Sequence, residues 1–419
     1  MKIAIIGSGI SGLSLTYLLD KKYDVTLFEE SNYIGGHANT ATIKYKDKNI
    51  AVDTGFIVFN FKTYPNLKAF FALLKVEISK SNMSFGIKNL DNNFEYSGNN
   101  LASIFAQKKN LLKPKFYKML FDIIRFNQRA IKFVEDPNQN TNLTLAKLIK
   151  KWNLGDYFQE YYLLPMAAAI WSCPLKLMKN YPAKTFLQFF YNHGLLTVTK
   201  QPQWYSVKGG SREYVAKIVS NLVNKPKLNS KVIKVYHTGE KITLITANKQ
   251  RHQFDHVIFA NHPDQILNIL SDATSSEKNI LQKIKYSKNT AILHNDVKQM
   301  PKKKKAWASW VYLASNKSHK VSLTYWMNNL QNISAKYPLF VTLNPLKKIA
   351  KKNIFGIFHY EHPIFNQAAI TAQNKLSHIQ GKRNIWFCGA WTKYGFHEDG
   401  LNSALKIATK FNVKAPWLK

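Results

Sequence analysis

Apolar residues along this chain fall into distinct patterns. Ile3, Ala4, Ile5 and Ile6 form an unbroken apolar run, which predicts a strand buried on both faces, as in a parallel sheet. A glycine-rich turn follows, then a helix, then a second apolar run from Val25 to Phe28 that ends at an acid, Glu29. Between residues 101 and 200 the period changes. Phe116, Met119, Leu120, Ile123, Ile124 and Ile131 recur at three- and four-residue intervals, the helical spacing, in a stretch dense in aromatics that read mainly as core. Further on, VKGGSREYVAKIV is a glycine turn leading into a helix, and 231–236 with 241–247 predict a hairpin. Residues 254–260 and 385–388 predict two more buried strands, and Asp399 and Gly400 open a final helix. Alternation over 306–312 and 321–327 predicts sheet rather than helix.

The opening segment carries chemistry as well as pattern. In GSGISG, Gly7 and Gly9 permit a tight turn and close approach of a pyrophosphate to backbone, and Gly12 lets the helix pack on the strand. That helix, with Ser11 in its first turn, offers unpaired N–H groups and a positive dipole end to phosphate. Glu29 lies about 20 residues past the glycines, where a carboxylate accepts hydrogen bonds from both hydroxyls of an adenosine ribose. Strand, glycine turn, helix, strand and acid in that order predict a dinucleotide site.

Bulk properties narrow the setting. At 419 residues the chain exceeds what one core fills, so two domains are expected. Its two cysteines, Cys173 and Cys388, stand far apart and in no ligand spacing, so neither a disulfide framework nor a metal site is expected, and a reducing cytoplasm fits. No segment reads as a signal peptide, and none reaches the length of a membrane span. The net charge is +36, from 60 Lys and Arg against 24 Asp and Glu. Such a surface is attracted to anionic lipid or nucleic acid. No nucleic-acid module is recognisable, so a specific nucleic-acid partner is not expected, and the lysine runs 302–305 and 347–352 read as solvated faces.

Taken together, GSGISG, FEE, IGGHANT, VDTGF, KGGS, KVIKV, FDHVIFAN, WFCGAW and GFHEDG resemble the flavin-containing amine oxidase superfamily. Within it the chain is most similar to a bacterial group of FAD-binding proteins related to enzymes of methyl-branched and furan fatty acids. The resemblance implies an α/β fold with a doubly wound FAD-binding domain, Rossmann-like and of glutathione-reductase type. Residues 1–70, 205–265 and 380–419 would form it, with an inserted α+β substrate domain of residues 71–204 and 266–379. It also implies that Gly35, Gly36 and His37 lie beside the pyrophosphate of FAD, and that Val232 meets adenine. Gly55, Phe56, Gly389 and Trp391 would border the cofactor, with the N–H of Asp399 or Gly400 donating to a flavin carbonyl. Two departures stand out. His37 occupies the place where amine oxidases carry Arg, and the motifs do not identify a lysine beside the flavin.

The implied activity is oxidoreduction, with hydride passing between a substrate carbon and flavin N5. The expected substrate is hydrophobic, a phospholipid-linked acyl chain reached through peripheral contact with an anionic membrane. An amine or polyene oxidoreductase of the same fold is the alternative enzyme, and a membrane- or nucleic-acid-binding protein with structural FAD is the non-enzymatic one. Tyr64, His362 and His397 are the candidate proton acceptors. Each has a structural alternative: a buried hydrogen-bonded phenol for Tyr64, a loop contact before Pro363 for His362, turn stabilisation for His397. Phe56 and Trp171 are candidates to line an apolar tunnel, and Cys388 reads as a small buried apolar residue.

Overall fold

The computed structural model describes residues 1–136, 138, 143–171, 175–197, 201–315 and 322–418. Its centre is a four-stranded parallel sheet. Strand β1 (Lys2–Ile6) pairs on one side with β2 (Asp24–Phe28) and on the other with His256–Phe259, beyond which lies Ile385–Phe387. Ile3 and Ile5 enter one hydrophobic core while Ala4 and Ile6 enter another. That is why β1 shows no polar alternation: both of its faces are covered. Helix α1 (Ile10–Leu19) and the C-terminal helix His397–Lys410 cover the first face. An antiparallel sheet of Val232–Thr238, Lys241–Thr246 and Arg251–Phe254 covers the second.

The other body is built on a seven-stranded sheet ordered Ile354–Ile364, Lys285–His294, Phe340–Leu343, Ser322–Trp326, Trp310–Ala314, Phe85–Asn89 and Glu95–Ser97. All neighbours are antiparallel except Trp310–Ala314 and Phe85–Asn89, which run parallel. Helices Pro114–Glu135, Leu145–Lys151, Leu164–Trp171 and Ala183–Asn192 share its core. Helix Pro114–Glu135 starts on a proline, whose missing N–H is no loss in a first turn. It ends at extended Asp136, the residue before Pro137, where helical backbone is disfavoured.

The predicted hairpin, the parallel strands and the 101–200 helices are all present, and both alternating segments contain strands, Trp310–Ala314 and Ser322–Trp326. Val321 and Cys173 lie outside the described residues. Segment membership differs from the expected boundaries in places. Helices Pro263–Ile269, Ser275–Leu281 and Gln367–Lys375 contribute Ile266, Ile280, Leu281, Ala369 and Ala372 to the core of the parallel sheet. Conversely, Ile43, Ile50 and Val52 of the hairpin Thr40–Tyr45 and Lys48–Asp53 reach the core of the seven-stranded sheet. An amphipathic helix joins whichever apolar face it can cover, so sequence distance from a motif is a poor guide to its core. No helix among the described residues is long and apolar enough to cross a membrane.

Candidate active site

One cavity of about 1590 Å³ runs from the glycine turn into the second body. Single ligand pockets generally hold about 300–1,000 Å³, so it has room for a dinucleotide and a substrate together.

The first end is built from backbone. No side chain caps α1 at Gly9, so its first-turn N–H groups face the cavity wall. A β-carbon on Gly12 would lie 1.9 Å from the Gly7 carbonyl oxygen, so helix and turn touch through glycine alone. Gly36, with φ +58°, folds over the same turn; a β-carbon there would sit 3.2 Å from Gly9 Cα. The C-terminal helix approaches from the other side. Gly400 packs so closely on Ile10 and Ser11 that a β-carbon would come within 2.8 Å of both side chains. Two helix N-termini therefore converge on one spot. The Gly400 N–H itself bonds Phe396 O at 3.0 Å, so of the two expected donors Asp399 is the one whose amide precedes the helical ladder. The Asp399 carboxyl accepts from Phe396 N and is raised to about 6 by burial.

Glu29 closes the turn. Its carboxylate accepts from Ser8 N (2.9 Å), Ser8 Oγ (2.7 Å) and Ser31 N (2.9 Å). An ionised carboxylate has about four lone-pair positions, so about one remains for a ligand hydroxyl, where two ribose bonds had been expected. Val232, Gly389 and Trp391 also line the cavity, with Trp391 Nε1 donating to Asn261 O at 3.2 Å. Gly55 lines it too, packed against the His37 carbonyl.

Imidazoles form the middle of the wall. The His37 ring lies 4.9 Å from Tyr360 and 5.3 Å from His362, and its buried Nε2 has no partner. His362 Nδ1 meets Asn289 Nδ2 at 2.9 Å, and His262 stacks on Tyr286 at 4.0 Å. His397 stacks on Phe56 at 3.7 Å, with Nε2 at 3.1 Å from the Tyr214 hydroxyl. Burial, with their mutual repulsion, lowers His37 to about 4 and His362 and His397 to about 3; burial likewise brings His262 to about 4. All are neutral near pH 7. Tyr64 lines the same cavity, its phenol held protonated by burial and then by Asp399 and Glu398. The cavity lining thus holds His397, Tyr64 and His362 with Gly7, Gly9, Ser11, Glu29, Gly36, His37, Gly55, Phe56, Val232, Gly389 and Trp391, whereas Gly12, Gly35, Asp399 and Gly400 of the expected cofactor residues lie outside it.

The lining contributed by residues 55–204 is mainly apolar, with Phe56, Ile57, Leu120, Met166, Trp171 and Phe189 among it beside polar Asn127, Tyr162 and His193, and Trp171 and Phe56 are the pair expected from the sequence. The charged lining residues, Glu29, Glu30, Lys231, Lys288 and Glu361, all come from outside residues 55–204. Lys231, which opens the KVIKV motif and adjoins Val232, and Lys288 are the lysines of the lining. Buried Cys388, by contrast, is not part of the lining, and burial raises its thiol.

Several residues that hold the site together escaped the sequence reading. Asp53 is fully buried and accepts from Thr40 Oγ1, Ser211 N, Ser211 Oγ and Gln331 Nε2 at 2.6–2.9 Å, tying its own hairpin to two distant segments. Glu398 accepts from Asn66 N and Nδ2 and from Leu67 N, capping helix Pro65–Leu73 from the C-terminal helix. Both acids sit beside glycines in motifs already singled out, VDTGF and GFHEDG, which is the signal that was present. No group of three His, Cys, Asp or Glu side chains placed to hold a metal occurs among the described residues.

Residues 5–74 match the family described as NAD(P)-binding Rossmann-like domain. No curated protein matches the sequence. Among solved structures, the chain is similar to a CLA-producing fatty acid isomerase from P. acnes at 13% identity and TM-score 0.67, each chain covered to 98%. Cyclohexylamine oxidase from Brevibacterium oxydans matches at 13% and 0.66, with 98% of this chain and 99% of that one covered. Putrescine oxidase bound to putrescine matches at 12% and 0.68, with the same coverage. These likenesses establish a shared fold over nearly the whole chain.

Proposed function

We propose that this protein is an FAD-dependent oxidoreductase acting on a hydrophobic, lipid-linked acyl chain. The observation that carries the reading is one cavity lined both by the glycine turn with Glu29 and, over residues 55–204, by uncharged and mainly apolar side chains. The residues fit FAD. The uncapped first turn of α1 and the N-terminus of the C-terminal helix suit a pyrophosphate and an electron-rich ring edge. Glu29 keeps an acceptor for a ribose hydroxyl, and the volume exceeds that of a dinucleotide alone. Neutral His37 follows Gly36, which packs on the glycine turn, so a phosphate bound at that turn would favour its protonation. When bound, FAD supplies a hydride acceptor or donor.

The chain's own part is to hold, dry and orient. The apolar stretch has no carboxylate to balance a cationic substrate, which favours an acyl chain over an amine. Of the three expected proton acceptors, Tyr64 keeps its own proton and His362 and His397 are neutral and weakly basic, so they serve as hydrogen-bonding groups of the lining rather than as strong bases near pH 7. The protein as a peripheral partner of anionic membranes, with its excess of lysine, completes the reading. Fold likeness to a fatty acid isomerase and to two amine oxidases supports the flavin and leaves the substrate to experiment. Purified protein is to be loaded with FAD and mixed anaerobically with unsaturated or methyl-branched phospholipids, amines or polyenes while flavin absorbance is followed. Bleaching by the phospholipid alone supports the reading; bleaching by an amine or polyene replaces the substrate, and failure to bind FAD overturns the whole.

A further inference from the structure

Fourteen large apolar side chains are exposed among the described residues, and six of them fall within 101–124: Leu101, Leu111, Leu112, Tyr117, Phe121 and Ile124. Leu112 is 87% exposed and Phe121 62%. Elsewhere such residues are scattered, as on any soluble surface, but a contiguous group marks an interaction site. Local structure explains the grouping. In helix Pro114–Glu135, Tyr117, Phe121 and Ile124 follow an i, i+4, i+7 stripe facing outward. Phe116, Met119, Phe126, Ala130 and Phe133 face the core. The Tyr117 hydroxyl donates to Leu111 O at 3.0 Å, fastening the turn that presents Leu111 and Leu112 beside this stripe.

The same patch is ringed by positive charge. Residues 101–121 contain Lys108, Lys109, Lys113, Lys115 and Lys118 and no Asp or Glu. A second group joins it in space. Glu95 accepts from the backbone of Lys302 and Lys303, and Leu101–Ile104 packs against Lys304–Ala306, so exposed Lys302–Lys305 lie next to Leu101. A second copy of this chain would set lysine against lysine. An anionic lipid surface satisfies both features, with lysines at headgroups and the apolar tips in the acyl boundary.

Residues of the cavity lining reach the surface here. Ile104, Leu120, Ile123 and Ile124 line it, and Ile124 is also half exposed, so this segment is at once wall and rim. We propose that residues 101–124, with Lys302–Lys305, seat the protein on an anionic phospholipid bilayer and deliver the cavity mouth to the lipid. The docking surface stands on its own; the passage of an acyl chain through the mouth rests on the substrate reading above.

The test uses full-length, FAD-loaded protein and vesicles of phosphatidylcholine alone or mixed with phosphatidylglycerol. Wild type should sediment with the mixed vesicles, and far less with phosphatidylcholine. At about fivefold per lysine near the headgroups, replacing Lys108, Lys109, Lys115 and Lys118 by Gln should weaken binding by about two to three orders of magnitude. Leu112→Ser with Phe121→Ser should weaken it at least tenfold, with flavin absorbance and circular dichroism unchanged. The indole introduced by Phe121→Trp should shift its emission to the blue on mixed vesicles. Wild-type binding by both sets of variants, or an indole that stays in water, overturns the proposal. So does a dimer in sedimentation velocity that Leu112→Ser with Phe121→Ser dissociates. If docking holds while phospholipid neither bleaches oxidised flavin nor reoxidises dithionite-reduced flavin, the surface stands and the substrate reading falls.

Discussion

Removing the Glu29 carboxylate separates its two tasks, ordering the glycine turn and receiving the adenosine ribose. Three of about four lone-pair positions already serve Ser8 and Ser31, so Glu29→Ala costs the ligand one charge-assisted bond. Such a bond is worth about 1.5–3 kcal/mol, which weakens FAD binding about 10- to 150-fold. The loosened turn adds to that, because Ser8 is fully buried and its N–H and hydroxyl lose their acceptor. Glu29→Gln keeps an acceptor oxygen and should lose about tenfold or less. Flavin fluorescence quenching gives the FAD dissociation constants directly, and ADP competition isolates the adenosine half. FMN is the internal control, since it lacks that ribose and should bind variant and wild type alike. Two results would refute the reasoning: an FAD constant within threefold of wild type, or equal loss of FAD and FMN. The second would mean that Glu29 acts only through the shape of the turn.

Glu398→Ala strips the cap from helix Pro65–Leu73 and leaves the Asn66 and Leu67 amides unpaired; it should cost about 3 kcal/mol in urea unfolding, and a loss below 1 kcal/mol contradicts the capping role. Gly12→Ala forces a methyl to 1.9 Å from the Gly7 carbonyl, so helix or turn must shift at about 1–3 kcal/mol, with weaker FAD binding; an unchanged melting curve would show that the turn yields freely. Apoprotein stability should fall from pH 7 to pH 5, because His37, His262, His362 and His397 are lowered to about 4 or 3. The unfolded chain, with histidines near 6.5, binds the extra protons, so their contribution is present above about pH 6.5 and is lost as pH falls toward 4. Asp53 and Asp399, raised to about 6, act in the opposite sense over pH 6 to 4 and offset part of this. His193 and His294, likewise lowered to about 4, add to the histidine side, so the net change is a loss of stability on acidification; urea midpoints that stay flat or rise would exclude it.

The glycine turn was legible in the sequence because its demands are local. Gly12 must lack a side chain to touch Gly7, five residues away, and β1 must be apolar throughout because both faces are covered. Partners of Asp53 and Glu398 are not local. Ser211 lies 158 residues from Asp53, and Asn66 lies 332 residues from Glu398. Neither pairing leaves a trace in periodicity, and each acid alone looks like an ordinary loop residue. Short strands hid for another reason. Phe340–Leu343 is buried along its whole length and Glu95–Ser97 spans only three residues, so neither alternates visibly.

Lys302–Lys305 shows how far this reaches into function. As a run in sequence it reads as a solvated face, since four adjacent charges on an exposed turn need no partner. Its meaning changes only through Glu95, whose carboxylate fixes the backbone of Lys302 and Lys303, and through the contact of Lys304–Ala306 with Leu101–Ile104. Those contacts place the charges beside a surface whose apolar tips came from a different part of the chain. Charge alone would attract any polyanion, and apolar tips alone would attract any greasy partner. Their adjacency at the rim of a cavity that continues to the glycine turn favours a lipid surface over both, because only there do headgroup charge, hydrocarbon and a long apolar ligand occur together.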